Sequence, residues 1–209
     1  MPDEPDTRSA RKRRAIMESA TRLFLDKGYD STTMDDIANL AEVSKPTVYG
    51  HFADKETLFA EIVAATTRDI DAVVRSVTDH LAPSRTPDKP LAEIGRRFLK
   101  ALMQPELIRL RRLVIANAER FPQVAETWYE QGFERVLAAL AQSFKQFAAA
   151  NMLRIDEPLA AAHHFVGLLL WIPMNQAMFR SRIKRIAEPE IEKIVHNAVG
   201  AFLNGYRPR

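Results

Sequence analysis

The 209 residues are 46% hydrophobic and 27% charged, the balance of a globular chain with room for one or two domains and a substantial core. Thirty Lys/Arg against 27 Asp/Glu give a net charge of +3, which favours a polyanionic partner only weakly. Zero Cys excludes disulfides, thiolate zinc sites and cysteine redox sensing, and only seven Gly favour helix throughout.

The opening MPDEPDTR is acidic and bears Pro, with no apolar stretch, so residues 1–8 read as a flexible arm rather than a signal peptide. The first helix is expected from about Ser9 to Lys27, with Ile16, Ala20, Leu23 and Phe24 on one face and Gly28 as a left-handed stop. Its entry holds the one dense basic patch, Arg8, Arg11, Lys12, Arg13 and Arg14. Such a patch serves either as a contact to a nucleic-acid backbone or as a solvated helix start. Residues 1–60 as a whole carry 9 Lys/Arg against 11 Asp/Glu, so any DNA-facing potential depends on where the charges point.

The stretch from Thr33 to Phe59 is the most informative. Thr33 and Asp36 form a capping box ahead of Ile37, Ala38, Leu40 and Ala41. Ser44 caps a second short helix with Pro46 in its first turn, where a missing N–H does no harm. Only Ala41, Glu42 and Val43 separate the two, so the helices must cross sharply, as in a helix-turn-helix. From Ser44 to Lys55 the outward residues are Lys45, Thr47, Tyr49, His51 and Lys55, all hydrogen-bond donors and none acidic. Lys45 and Thr47 suit base edges, whereas Tyr49, His51, Lys55 and Thr33 suit phosphates. Val43, Val48 and Phe52 are left to face inward.

AEVSKPTVYGHFADKETLF resembles the DNA-binding signature of the tetracycline-repressor (TetR) family. Val43, Ser44, Thr47, Tyr49, His51, Phe52, Lys55, Glu56, Leu58 and Phe59 match it at fixed spacing. Phe24, Gly28, Tyr29, Thr32, Thr33, Ile37, Ala38 and Ala41 fit its upstream part. The likeness covers roughly residues 10 to 62. It implies DNA binding through Thr33, Ser44, Lys45, Pro46, Thr47, Tyr49, His51 and Lys55. Two positions depart from the pattern: Glu42 and Pro46 stand where the family often has Gly, which makes the operator sequence unreadable by analogy.

Asp54 caps a long helix with Leu58, Ile62, Val63, Ile70, Val73, Val74 and Val77 on its apolar face, ending near Leu81. A loop is expected over Ala82 to Pro90. Leu91 to Met103 is next, with Leu91, Ile94, Phe98, Leu99 and Leu102 at helical spacing. Pro105, Pro122, Pro158 and Pro189 then each start a helix, reaching about Arg120, Asn151, Arg182 and Leu203. The reading is all-α, about nine helices, with a helix-turn-helix domain over 9–54 and a helical effector-binding and dimerisation domain over 55–209.

The helix from Pro158 is apolar on more than one face, more than a single docking stripe needs. The family resemblance implies that the last two long helices pair two copies into a homodimer, here through Leu169, Ile194, Ala198 and Phe202. It also implies a small-molecule cavity, for which Phe98, Leu102, Trp128, Phe133, Trp171, Met174 and Met178 are available. Aromatic and Met side chains with few polar groups suit an apolar or aromatic ligand, although each also serves as plain core. Pro173 inside the helix either shapes such a pocket or is a packing feature. The carboxy-terminal half is similar to the AefR-like branch over Arg111 to Phe179.

No catalytic constellation emerges. His163 and His164 diverge by about 100° on a helix, and no metal, nucleotide or triad motif is present, so no cofactor, metal or enzyme activity is expected. The longest apolar run, Phe165 to Met174, is too short to span a bilayer, and a cytoplasmic setting without membrane partner is expected. The expected function is a transcriptional repressor that binds a palindromic double-stranded operator and is released by a small molecule; the alternatives are a regulator without an effector and, with less support, a helical ligand-binding protein or enzyme.

Overall fold

The computed structural model describes residues 7–78 and 86–208, with the backbone alone for 71–78. The expected roles of Val73, Val74, Val77 and Leu81, and of the loop residues 82–85, lie outside the described side chains. The elements are α1 (Arg8–Lys27), α2 (Met34–Leu40), α3 (Lys45–His51), α4 (Lys55–Thr78), α5 (Asp88–Leu102), α6 (Pro105–Ala116), α7 (Pro122–Thr127), a π-helical segment (Trp128–Glu134), α8 (Arg135–Ala149), α9 (Pro158–Phe179) and α10 (Glu188–Tyr206). Because α7, the π segment and α8 follow without a break, the described residues form nine helical rods and no strand.

Two compact units divide the chain: Met1–Thr66 with Arg109–Trp128, and Thr67–Ile108 with Tyr129–Arg209. The first therefore extends past the expected boundary at Asp54 and takes in most of α6 and all of α7. The reason is apolar: Leu110, Val114, Phe121 and Val124 are buried with Ile16, Phe24, Ile37, Val48, Phe52 and Phe59 in one core. Phe121 lies edge-on to Tyr29 with ring centroids 4.8 Å apart, a favoured aromatic geometry.

Start and stop signals in this unit are side-chain and backbone chemistry of the usual kinds. Thr7 caps α1 by accepting from the Ala10 N–H at 3.1 Å, so the helix begins one residue before the expected Ser9. Gly28 ends the helix at φ 84° and ψ 167°, which is not the expected left-handed helical stop but a region open essentially to Gly alone. Asp54 caps α4, accepting from the Thr57 N–H at 2.7 Å.

The second unit is built around Phe144, Phe165 and Phe202, whose centroids lie 5.1–5.8 Å apart, with Tyr206 stacked on Phe202 at 4.4 Å. Helix α5 closes on α9 and α10 at Gly95: a Cβ there would meet Leu169 Cδ2 at 3.2 Å and Val195 at 3.3 Å. Arg96 fixes the α5–α10 seam by a two-pronged ion pair to Glu192 at 2.6 and 3.1 Å, and Lys100 reaches Glu188 at 2.9 Å. Pro90 falls in the first turn of α5 rather than in a loop, since a residue at that position needs no N–H partner.

This core corrects the expected dimer surface. Leu169, Ala198 and Phe202 are buried inside their own subunit, and Ile194 packs partly buried against the same cluster. Besides Leu159 near its start, the large apolar residues left in solvent on α9 are Leu168 (45% exposed), Trp171 (72%), Ile172 (66%) and Phe179 (86%). They share one face, at spacings of three, four and seven residues. Helix α9 is apolar both toward its own core and toward solvent, so neighbours as alike as Leu168 and Leu169 fall on different sides.

Candidate nucleic-acid interface

Each of the two short helices is capped at its start, the first of them reciprocally. Thr33 Oγ1 accepts from the Asp36 N–H and Asp36 Oδ2 accepts from the Thr33 N–H, both at 3.1 Å. These bonds hold the Asp36 carboxyl below its usual range, with a lesser contribution from Lys27. Between the helices, Glu42 takes φ 54°, the left-handed conformation the turn requires, and the Val43 N–H returns to the Ala38 carbonyl at 3.1 Å. Thus the turn keeps its left-handed geometry without Gly.

Ser44 caps α3. Its Oγ accepts from the Thr47 N–H at 3.3 Å and lies 2.7 Å from the Thr47 hydroxyl, so the two hydroxyls form one fixed pair. Pro46 stands in the first turn. Val48 and Phe52 are buried, which turns Lys45, Pro46, Tyr49 and Gly50 to solvent, with Thr47 and His51 half-buried beside them. Nothing lies within 4 Å of where a Gly50 side chain would project, so this face of α3 is open.

Besides the capping residues, two more of the expected DNA contacts are engaged within the protein. The Lys55 ammonium donates to the Tyr29 and Thr32 carbonyls, each at 2.8 Å, and sits 4.3 Å above the Tyr29 ring. Burial lowers its pKa, opposed by Asp30. Lys55 thus closes the α1–α2 loop onto the start of α4, a structural role beside the phosphate contact expected of it. Lys45 pairs with Asp35, Nζ lying 2.7 Å from Oδ1 and 3.1 Å from Oδ2, and this bond raises the Lys45 pKa. In the basic cluster, Arg13 donates to Glu61 at 3.0 Å and covers the Phe52 ring at 5.1 Å, a packing role the sequence left open.

The expected ligand residues are not assembled as one set. Leu102, Phe133, Met174 and Met178 pack partly buried against the second unit's core, and Phe98 is inside it. Phe133 also faces Tyr129 and His163, at 5.7 and 6.2 Å between centroids. Trp171 is turned to solvent on α9, and Trp128 packs against the first unit's core. Sequence reasoning missed an open basin of about 760 Å³ in the second unit, with Met103, Pro173, Ala177 and Ile183 on its lining together with Arg182 and Lys184. Its signal was the run RSRIKR at 180–185. Among the described residues no group of His, Asp or Glu could hold a metal ion, and no helix is long and apolar enough to cross a membrane.

The model of the bacterial regulatory proteins of the tetR family matches residues 16–62, and that of the AefR-like transcriptional repressor C-terminal domain matches residues 89–208. The second match alone spans more than half of the chain. The chain belongs to the TetR family. A TetR-family transcriptional regulator from Mesorhizobium loti shares 45% identity over 97% of this chain and 100% of its own, with a TM-score of 0.89. The flavonoid-responsive regulator FrrA shares 28% identity over 96% of this chain and 99% of its own, at a TM-score of 0.74. The HTH-type transcriptional repressor Rv1474c of Mycobacterium tuberculosis is 26% identical over 81% of this chain and 84% of its own length. As a TetR-family member the protein is a DNA-binding transcriptional regulator, and the family and these relatives regulate transcription rather than catalyse reactions.

Proposed function

We propose that the protein is a repressor that grips a palindromic operator as a homodimer and is released by a small apolar or aromatic molecule. The observation that carries the DNA reading is the open face of α3, which offers Lys45, Thr47, Tyr49 and His51 on a helix fixed at both ends. Lys45 and Thr47 stand at its N-terminal end, where a recognition helix meets base edges, with Tyr49, His51 and Thr33 placed for phosphates. The exposed α9 face, Leu168, Trp171, Ile172 and Phe179, is the surface for a second copy. Such a dimer would set the recognition helices about 34–36 Å apart, one turn of duplex.

The effector reading is supported by the soft, partly buried side chains Leu102, Phe133, Met174 and Met178 of the second unit. The 28% identical regulator FrrA is flavonoid-responsive by name, which favours an aromatic ligand. The basin beside Arg182 and Lys184 extends the class to ligands with an anionic group. The test is selection of duplexes from a randomised pool, followed by titration of the selected duplex and a scrambled one. Lys45→Ala should weaken the selected duplex by about 1–3 kcal/mol and the scrambled one little. Equal losses on both would remove Lys45 from base reading.

A further inference from the structure

Between Gly28 and Asp54 the chain has a single Lys or Arg, and it is Lys45. The acids of that stretch are Asp30, Asp35, Asp36, Glu42 and Asp54. Asp36 and Asp54 are engaged as helix caps, Asp30 pairs with Arg120, and Glu42 forms the turn. Asp35 belongs to no cap. It stands next to Asp36 in the first turn of α2 and holds the Lys45 ammonium with both oxygens, at 2.7 and 3.1 Å.

Both side chains are more than half exposed, at 55% for Lys45 and 59% for Asp35, so water screens the pair and it adds little to folding. Its consequence lies in what Lys45 can meet. An ammonium has three N–H groups; one donates to Asp35 Oδ2 while Oδ1 lies against the same side, so a hydrogen on the far side is left for a further acceptor. A guanine O6 or N7 can accept that one hydrogen while the Asp35 pair persists. A phosphate offers its charge elsewhere, and drawing Lys45 onto it would strip Asp35 of its partner beside a polyanion.

We propose that Asp35 is a specificity-determining residue: it withholds the one cation of the recognition segment from phosphates, so that Lys45 contributes fully only where a base edge presents an acceptor. The carboxylate acts as a repulsive element against unselected DNA, which raises discrimination without tightening the correct complex. This rests on the reading of α3 as the recognition helix.

The test uses the full chain and the substitutions Asp35→Asn, Lys45→Ala and both together, titrated over a salt series against a selected duplex and a scrambled one. Asparagine keeps the shape and leaves the Thr33–Asp36 box untouched, and thermal melting verifies the fold. Asp35→Asn should tighten the scrambled duplex by about two- to five-fold for each Lys45 released and steepen its salt slope by about one. The selected duplex should change less, so the ratio between the two falls. In the Lys45→Ala background the same substitution should have little effect. If Asp35→Asn tightens both duplexes equally, or acts just as strongly without Lys45, the residue contributes bulk repulsion only and the proposal is overturned. If selection with the unsubstituted chain enriches no sequence, the recognition reading of α3 fails first and takes this proposal with it.

Discussion

Glu42 holds φ at 54°, a conformation in which a side chain crowds its own backbone and which costs an L-residue about 1–2 kcal/mol. The Ala38 carbonyl and Val43 N–H fix the turn whatever residue occupies position 42. Glu42→Gly should therefore stabilise the protein by about 0.5–1 kcal/mol, the strain relieved less the added freedom of the unfolded chain, as read by a higher urea midpoint. A lower midpoint would show that the Glu42 side chain makes a stabilising contact. Lys55 carries the opposite expectation. Its ammonium satisfies the Tyr29 and Thr32 carbonyls, so Lys55→Met, which keeps the stem, should destabilise by about 1.5–3 kcal/mol. Unchanged stability with a flatter DNA salt slope would return Lys55 to the phosphate contacts. The capping residues were legible in the sequence because a cap is a local bond between positions three apart, as at Thr33–Asp36 and Ser44–Thr47. The partners of Lys55 and Lys45 were not, because they lie 26, 23 and 10 residues away.

At the scale of one helix, α9 separates what the sequence pattern merged. Leu168 and Leu169 are chemically identical neighbours, yet one is 45% exposed and the other fully buried against Gly95. Periodicity identifies a face only when the opposite face is polar, and here both sides are apolar, so the pattern could not say which residues meet the subunit's own core. The two faces predict different failures. Leu169→Glu places an unpaired carboxylate in the core and should unfold the second unit rather than merely divide a dimer. Ile172→Glu, at a position 66% exposed, should leave the melting of a single subunit nearly intact and lower the sedimentation mass to that of one chain. A folded monomer from Leu169→Glu, or an intact dimer from Ile172→Glu, would contradict this division. Trp171 lies on the same face as Ile172, so its fluorescence should report the monomer–dimer balance more directly than effector binding.

For the whole molecule, the feature least legible in the sequence is that the first unit is not continuous. Caps, turn and recognition helix all fall within residues 7–66, which invites a boundary soon after Asp54. The core they enclose is nevertheless completed by Leu110, Val114, Phe121 and Val124. A run of helical spacing in α6 and α7 says that those helices are amphipathic, and only tertiary packing says against what. Burial of four such side chains contributes about 1.5–3 kcal/mol each as an upper estimate, a sum comparable with the roughly 5–15 kcal/mol of net stability typical of a domain. Arg120 adds to the closure, its guanidinium 5.3 Å above the Tyr29 ring and paired with Asp30. A fragment ending at Thr66 should therefore retain helical signal but melt without a cooperative transition, and its amides in α1 and α4 should exchange far faster than in the full chain. Phe121→Ala in the full chain should reproduce part of that loss, about 3–5 kcal/mol, because the ring packs against both Tyr29 and Phe59. A cooperative melt of the 1–66 fragment, with full-chain affinity for the selected duplex, would restore the sequence-based boundary and reduce α6 and α7 to a peripheral cover.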